Sequence, residues 1–285
     1  MEYILKSMRI ARTTIKGKDE RESAGLKQKK RNVSLLISCL TVGLILLIWV
    51  IASVSGALDE AKVVPSIGSV WAALLSMSTE GYKGNTLLQH LGGSFYRLFT
   101  AFILAVVTAI PMGLLSGMNS KIRAAMEPII EFIRPLPPLA YYTVIVMWLG
   151  IGDGSKIMLL YLACFPAIYV ACVASVVKIP EAYVNVAATL GANDSQMFRK
   201  VILPYTTPDI FTGVRTAFGH GYTTLVAAEM VAASSGIGWV VLDASNWLRS
   251  DIIFAGIIVM GITGIVFDYV LRTAEKKLVP WKGKI

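Results

Sequence analysis

Six stretches of this chain run for 16 to 27 residues almost without charge: 33–54, 98–118, 135–152, 157–177, 216–242 and 252–267. A helix rises 1.5 Å per residue, so about 20 apolar residues reach across a bilayer's hydrocarbon core. Only His220 and Glu229, both in the fifth run, interrupt these runs with a residue that can carry charge near neutral pH. Six such runs in 285 residues leave no polar faces with which a water-soluble helical bundle could cover itself. The expected fold class is therefore an all-α polytopic membrane protein with six transmembrane helices, near 33–54, 88–118, 130–152, 157–177, 209–233 and 251–271. The charged fraction of 16% and mean hydropathy of +0.64 agree, since soluble domains carry about a quarter charged residues. The first run follows 32 residues and exceeds the roughly 7–15 residues of a signal-peptide core, so it reads as a retained first helix.

Lysine and arginine set the expected orientation. With the N-terminus inside, the segments 1–32, 119–127, 178–208 and 272–285 hold 20 of the 27, and the opposite loops hold four: Lys62, Lys83, Lys156 and Arg249. That asymmetry places both termini and the 178–208 loop in the cytoplasm. The +9 net charge then calls for no nucleic acid; residues 27–31 read as a juxtamembrane basic cluster facing anionic lipid. Residues 1–32 and 272–285 are expected to be cytoplasmic tails around a transmembrane domain at 33–271. Cys39, Cys164 and Cys172 lie in apolar runs, the latter two too far apart on one helix for a disulfide, and read as small core residues. No ligand spacing suggests a metal.

Between the first two spans, Ile67, Val70, Trp71, Leu74 and Leu75 share one helical face, expected at the outer membrane surface. Pro111 predicts a kink, and Gly113 with Gly117 offers a site for close helix packing. The 178–208 segment interrupts the apolar pattern. Residues 181–190 suit a short helix, Gly191 a turn, and Asn193 or Asp194 the cap of a second helix. Met197, Phe198, Val201 and Ile202 form that second helix's apolar stripe, and Pro204 is expected to end it. Periodicity alone describes an ordinary interfacial loop.

Ionisable groups at membrane depth face protein or a wet path because lipid penalises them. Glu229, His220 and Arg134 therefore stand out. Glu229 either lines a passage or is held by an arginine or a helix cap; His220 is a path or packing residue. Pro135, Pro137 and Pro138 free backbone carbonyls that need protein or a wet cavity.

The run Asn185-Val-Ala-Ala-Thr-Leu-Gly-Ala-Asn-Asp-Ser-Gln-Met-Phe-Arg-Lys-Val-Ile-Leu-Pro204 resembles the EAA loop of ATP-binding-cassette importer permeases. Ala187, Gly191, Ala192, Phe198, Leu203 and Pro204 match its pattern; Asn185 stands where that pattern has Glu. The stretches 134–140, 148–156, 225–230, 234–238 and 251–256 are similar to the nitrate/sulfonate/taurine branch, and the ending 278–283 to the tail of taurine permeases. The resemblance implies a type I, MetI-like permease fold with cytoplasmic coupling helices. It also implies a bacterial inner-membrane location, a second copy of this chain, two separate ATPase subunits carrying the ATP and Mg, and an external binding protein. The coupling segment would comprise Asn185, Ala187, Gly191, Ala192, Phe198, Leu203 and Pro204; the translocation path or gate, Arg134, Pro137, His220 and Glu229. Taurine or a related alkanesulfonate is the implied cargo, with nitrate or another small anion as the alternative.

The chain itself has no P-loop and no H-E-x-x-H or G-x-S-x-G motif, so it holds no nucleotide by that device and is not expected to be catalytic. An intramembrane enzyme built on Glu229 and His220 is disfavoured, because nine residues put the two on opposite helix faces. An ion-coupled secondary transporter is disfavoured by the lack of an inverted repeat.

Overall fold

The computed structural model describes residues 33, 36–53 and 64–282. The expected basic tail and juxtamembrane cluster, residues 34, 35 and 54 of the first span, residues 55–63 and residues 283–285 lie outside them. The chain divides into two compact units at residue 67. In the first unit α1 (Leu36–Ser53) is long and apolar enough to cross a membrane.

The second unit is helical throughout: α2 (Ile67–Thr79), α3 (Leu87–Met118), α4 (Ser120–Ile133), α5 (Pro138–Leu149), α6 (Asp153–Val177), α7 (Glu181–Thr189), α8 (Asp194–Met197), a π-helical turn (Phe198–Ile202), α9 (Leu203–Ala232), α10 (Ile237–Asn246) and α11 (Ser250–Leu278). Of these, α3, α6 and α11 are long and apolar enough to span a bilayer. At 30 residues α9 has the length, about 45 Å, but carries Asp209, Arg215 and Glu229. The expected span at 130–152 is not one straight helix. Residues up to Ile133 belong to α4, and α5 departs from it at 102°. Pro135, Pro137 and Pro138 explain the break: they supply no N–H to continue the ladder, and Pro138 opens α5 instead.

The centre of the unit is α6, sandwiched between α3 and α9. On α3, Ala101, Ala105, Ala109, Gly113 and Gly117 recur every fourth residue and are all buried. A Cβ on Gly113 would lie 2.6 Å from the Cβ of Cys172, and one on Gly117 would lie 2.6 Å from that of Val176. The Gly113/Gly117 pair therefore serves packing within the chain: it lets α3 approach α6 at backbone distance, where dispersion replaces the absent hydrophobic drive. Leu98, Leu160, Cys164, Ile168, Phe218 and Leu225 complete the core. Outward, Ile103, Leu104 and Val107 on α3 and Ile262, Ile265 and Val266 on α11 are exposed, as lipid-facing surfaces require.

One expectation shifts. On α2 the buried face is Val70, Ala73 and Met77, while Ile67, Trp71 and Leu75 are exposed, so the predicted stripe is rotated. Pro111 lies within α3. The helix starts where its sequence caps it, at Thr86, whose hydroxyl accepts from the Gln89 N–H while the Gln89 amide returns to the Thr86 N–H.

Candidate coupling elbow and polar cavity

At one end of α6 the chain forms a helical elbow. Pro180 precedes α7, and Glu181 sits in its first turn, where the helix dipole favours a carboxylate. The exit is a Schellman turn: the Gly191 N–H reaches the Ala188 carbonyl at 2.9 Å and the Ala192 N–H the Ala187 carbonyl at 3.0 Å. Gly191 adopts φ +78°, a conformation side chains resist. Asn193, not Asp194, caps α8, in a reciprocal box with Gln196 at 2.9 and 3.0 Å.

Pro204 does not end the second helix. The Leu203 N–H reaches back five residues to the Phe198 carbonyl, and Pro204 lies in the first turn of α9. The widened π turn accommodates a proline that an unbroken α ladder would reject. Helical backbone is thus continuous from Asp194 to Ala232. Phe198 and Ile202 are half-buried against the core. Rings of Tyr183 and Tyr205 lie 5.8 Å apart, tying α7 to α9, and the Trp281 indole donates to the Pro204 carbonyl at 3.1 Å. No residue of α7 is buried; Asn185 and Leu190 face outward, Leu190 with 82% of its surface exposed. An apolar groove of about 670 Å³ runs along Tyr183, Val186, Ala187, Leu190, Tyr205 and Trp281.

Towards the opposite end of α6, Glu229 is fully buried in a polar knot. Its carboxylate accepts from Ser94 Oγ at 2.7 Å, Arg97 Nη1 at 2.7 Å and the Gly238 N–H at 3.0 Å. Arg97 also reaches Asp153 at 2.6 Å and both Ser235 oxygens. The Ile237 N–H donates to Ser94 Oγ and the Gly236 N–H to His90 Nδ1. Three backbone donors opening α10 are thereby satisfied by side chains of α3 and α9. Gly236 has φ +121°, and a Cβ there would fall 2.3 Å from the Glu229 carboxylate. The arrangement is an arginine pair and a helix cap at once. Sequence reasoning had no role for His90, Ser94, Arg97 or Asp153. The available signal was polar residues at i, i+4 and i+7 on one face of α3. Lys156, expected in a loop, lies in the first turn of α6 and is only 4% exposed. Beyond the knot, Tyr82 donates to Asp243 at 2.7 Å, and burial with that carboxylate pushes the phenol pKa upward.

The structure separates the four expected path residues. Arg134 and His220 line one cavity of about 750 Å³ between the α4–α5 break, α6 and α9. Pro137 lies in that break without lining the cavity, and Glu229 is in the knot. Thr212, Thr216, His220 and Thr223 form an exposed polar file on α9 facing the cavity.

Residues 105–280 match the family described as binding-protein-dependent transport system inner membrane component. The chain belongs to this family. Over 256 residues this membrane component is 38% identical to the taurine transport system permease protein TauC of Escherichia coli, covering 90% of this chain and 92% of the relative. It is 28% identical to the putative aliphatic sulfonates transport permease protein SsuC of Bacillus subtilis, covering 93% and 95%. It is also 28% identical to the nitrate import permease protein NrtB of Synechocystis, covering 92% and 98%. Among solved structures, an inward-facing MetNI methionine ABC transporter chain superposes with a TM-score of 0.56 at 17% identity, covering 68% of this chain and 94% of that one. The fold is thus that of the MetI-like permeases, and the protein is a multi-pass membrane transport component, not a catalytic subunit.

Proposed function

We propose that this permease carries taurine or a related alkanesulfonate across the bacterial inner membrane, powered by a separate ATPase. The elbow carries the reading: α7 has no buried residue, is held by the Gly191 turn and the Tyr183–Tyr205 contact, and leads into α8, which runs through the π turn into α9 without a helical break. A push passed across the Gly191 turn to α8 moves α9, which lines the polar cavity from Asp209 to Thr224, as a rigid body. Each of two chain copies receives one ATPase subunit on Val186, Ala187 and Leu190. Asn185 sits beside that contact, and Ala192, Phe198 and Leu203 hold the elbow to the bundle. The positive-inside distribution orients both termini, the 1–32 and 272–285 tails and the 178–208 loop towards the cytoplasm. The opposite end receives cargo from an external binding protein. TauC as a relative over nine-tenths of the chain supports taurine.

Co-expression with the ATPase and binding protein tests this. The complex should hydrolyse ATP faster with taurine-loaded binding protein than with the empty form. Stimulation by nitrate and not by any sulfonate would move the cargo to inorganic anions. An ATPase that does not co-purify would reject the coupling role.

A further inference from the structure

The cavity between the α4–α5 break and α9 has two chemically different walls. Arg134 stands on the first, exposed, its guanidinium with no ion-pair or hydrogen-bond partner among the described residues. Its guanidinium offers five donors and no acceptor. The opposite wall is the α9 file. Thr212, Thr216 and Thr223 donate their hydroxyl protons to backbone carbonyls of their own helix: Pro208 at 3.1 Å, Thr212 at 3.0 Å and His220 at 3.0 Å. A hydroxyl whose proton is committed presents lone pairs, so these threonines accept, beside His220 on the same face. Lys282 already uses Thr212, at 2.8 Å, which leaves Thr216 and Thr223 free to accept. Exposed polar residues at this depth are retained only against protein or a wet path, and about 750 Å³ accommodates a small organic ligand.

We infer that this cavity holds a transient binding site for a small zwitterion, with Arg134 reading the anionic group and Thr216 with Thr223 reading the ammonium. A sulfonate offers three acceptor oxygens to the guanidinium; an ammonium offers three donors and no acceptor, the complement of the threonine file. A plain monoanion engages only one wall. The permease then discriminates amino-sulfonates from nitrate and simple sulfonates itself, after delivery. This inference rests on reading the cavity as the passage.

The test is equilibrium binding of radiolabelled taurine to the permease–ATPase complex in nanodiscs without binding protein. Unlabelled taurine, ethanesulfonate (no ammonium) and nitrate serve as competitors. Taurine should compete about ten-fold better than either, the equivalent of one hydrogen bond to a charged group. Arg134→Gln should weaken taurine about ten-fold and Arg134→Lys less. Thr216→Val should weaken taurine several-fold and leave ethanesulfonate competition unchanged. Both threonine and arginine are exposed, so size-exclusion profiles should be those of the parent. Equal competition by all three compounds, or taurine binding unaffected in Arg134→Gln and Thr216→Val, would overturn the site. So would a parent complex with no saturable binding; ATP-dependent taurine uptake with binding protein restored would then leave the permease reading standing, and its absence would fail that reading separately.

Discussion

Replacing Glu229 by Gln removes one charge from a fully buried position. Arg97 would lose its buried counterion and keep Asp153, whose side chain is 49% exposed. Breaking a buried pair from one side costs about 3–5 kcal/mol. The amide still accepts from the Gly238 N–H or Ser94, which offsets part of this, so about 2–4 kcal/mol is expected. Asp153→Asn touches the solvated arm and should cost no more than about 1 kcal/mol. The ordering is the sharper prediction: Glu229→Gln far more destabilising than Asp153→Asn, with Arg97→Met/Glu229→Met recovering stability relative to Glu229→Gln alone. Thermal unfolding of the assembled complex, followed by fluorescence-detected size exclusion, should show a loss of about 5–10 °C for Glu229→Gln. Uptake per surviving complex should stay close to the parent's. Parental thermal stability together with lost uptake would refute the structural assignment and return Glu229 to the path.

Gly191→Val forces a β-branched residue to φ +78° and should cost about 1–2 kcal/mol locally; ATPase stimulation should fall several-fold while bundle assembly persists, and unchanged stimulation would exclude the elbow as the docking point. Trp281→Phe deletes the donor to the Pro204 carbonyl; stimulated hydrolysis should drop about two- to five-fold with unaltered basal hydrolysis, consistent with one lost hydrogen bond. On a background with Cys39, Cys164 and Cys172 replaced by Ala, Ser195→Cys should resist an impermeant thiol label in sealed cells and Glu80→Cys should accept it. Labelling of position 195 from outside would invert the topology.

Spans α1, α3 and α6 were legible because each contains an uncharged run of 21 or 22 residues, long enough for the bilayer, and α11 because its 16-residue run is extended by apolar residues beyond Asp268, a signal that survives any packing. The Gly191 turn and the Asn193 cap were legible because local backbone chemistry decides them. The 130–152 span was not: three prolines near its start announce a break but not its 102° angle, which packing on α6 decides. Pro204 misled because a π turn and an α-helix end look alike in sequence. The knot was hidden for a different reason. Glu229 and Arg97 are 132 residues apart, and nothing in either neighbourhood names the other. Likewise the acceptor character of the α9 file depends on hydroxyl protons bonded to the helix's own carbonyls, which composition does not reveal.

The most direct test of the whole account is taurine uptake into proteoliposomes carrying this permease and its ATPase, with the binding protein added outside the substrate-facing side. The account predicts accumulation that requires ATP hydrolysis and the binding protein, stops when the ATPase is trapped with vanadate, and is indifferent to ionophores. Accumulation that follows an ion gradient and proceeds without ATP would contradict it.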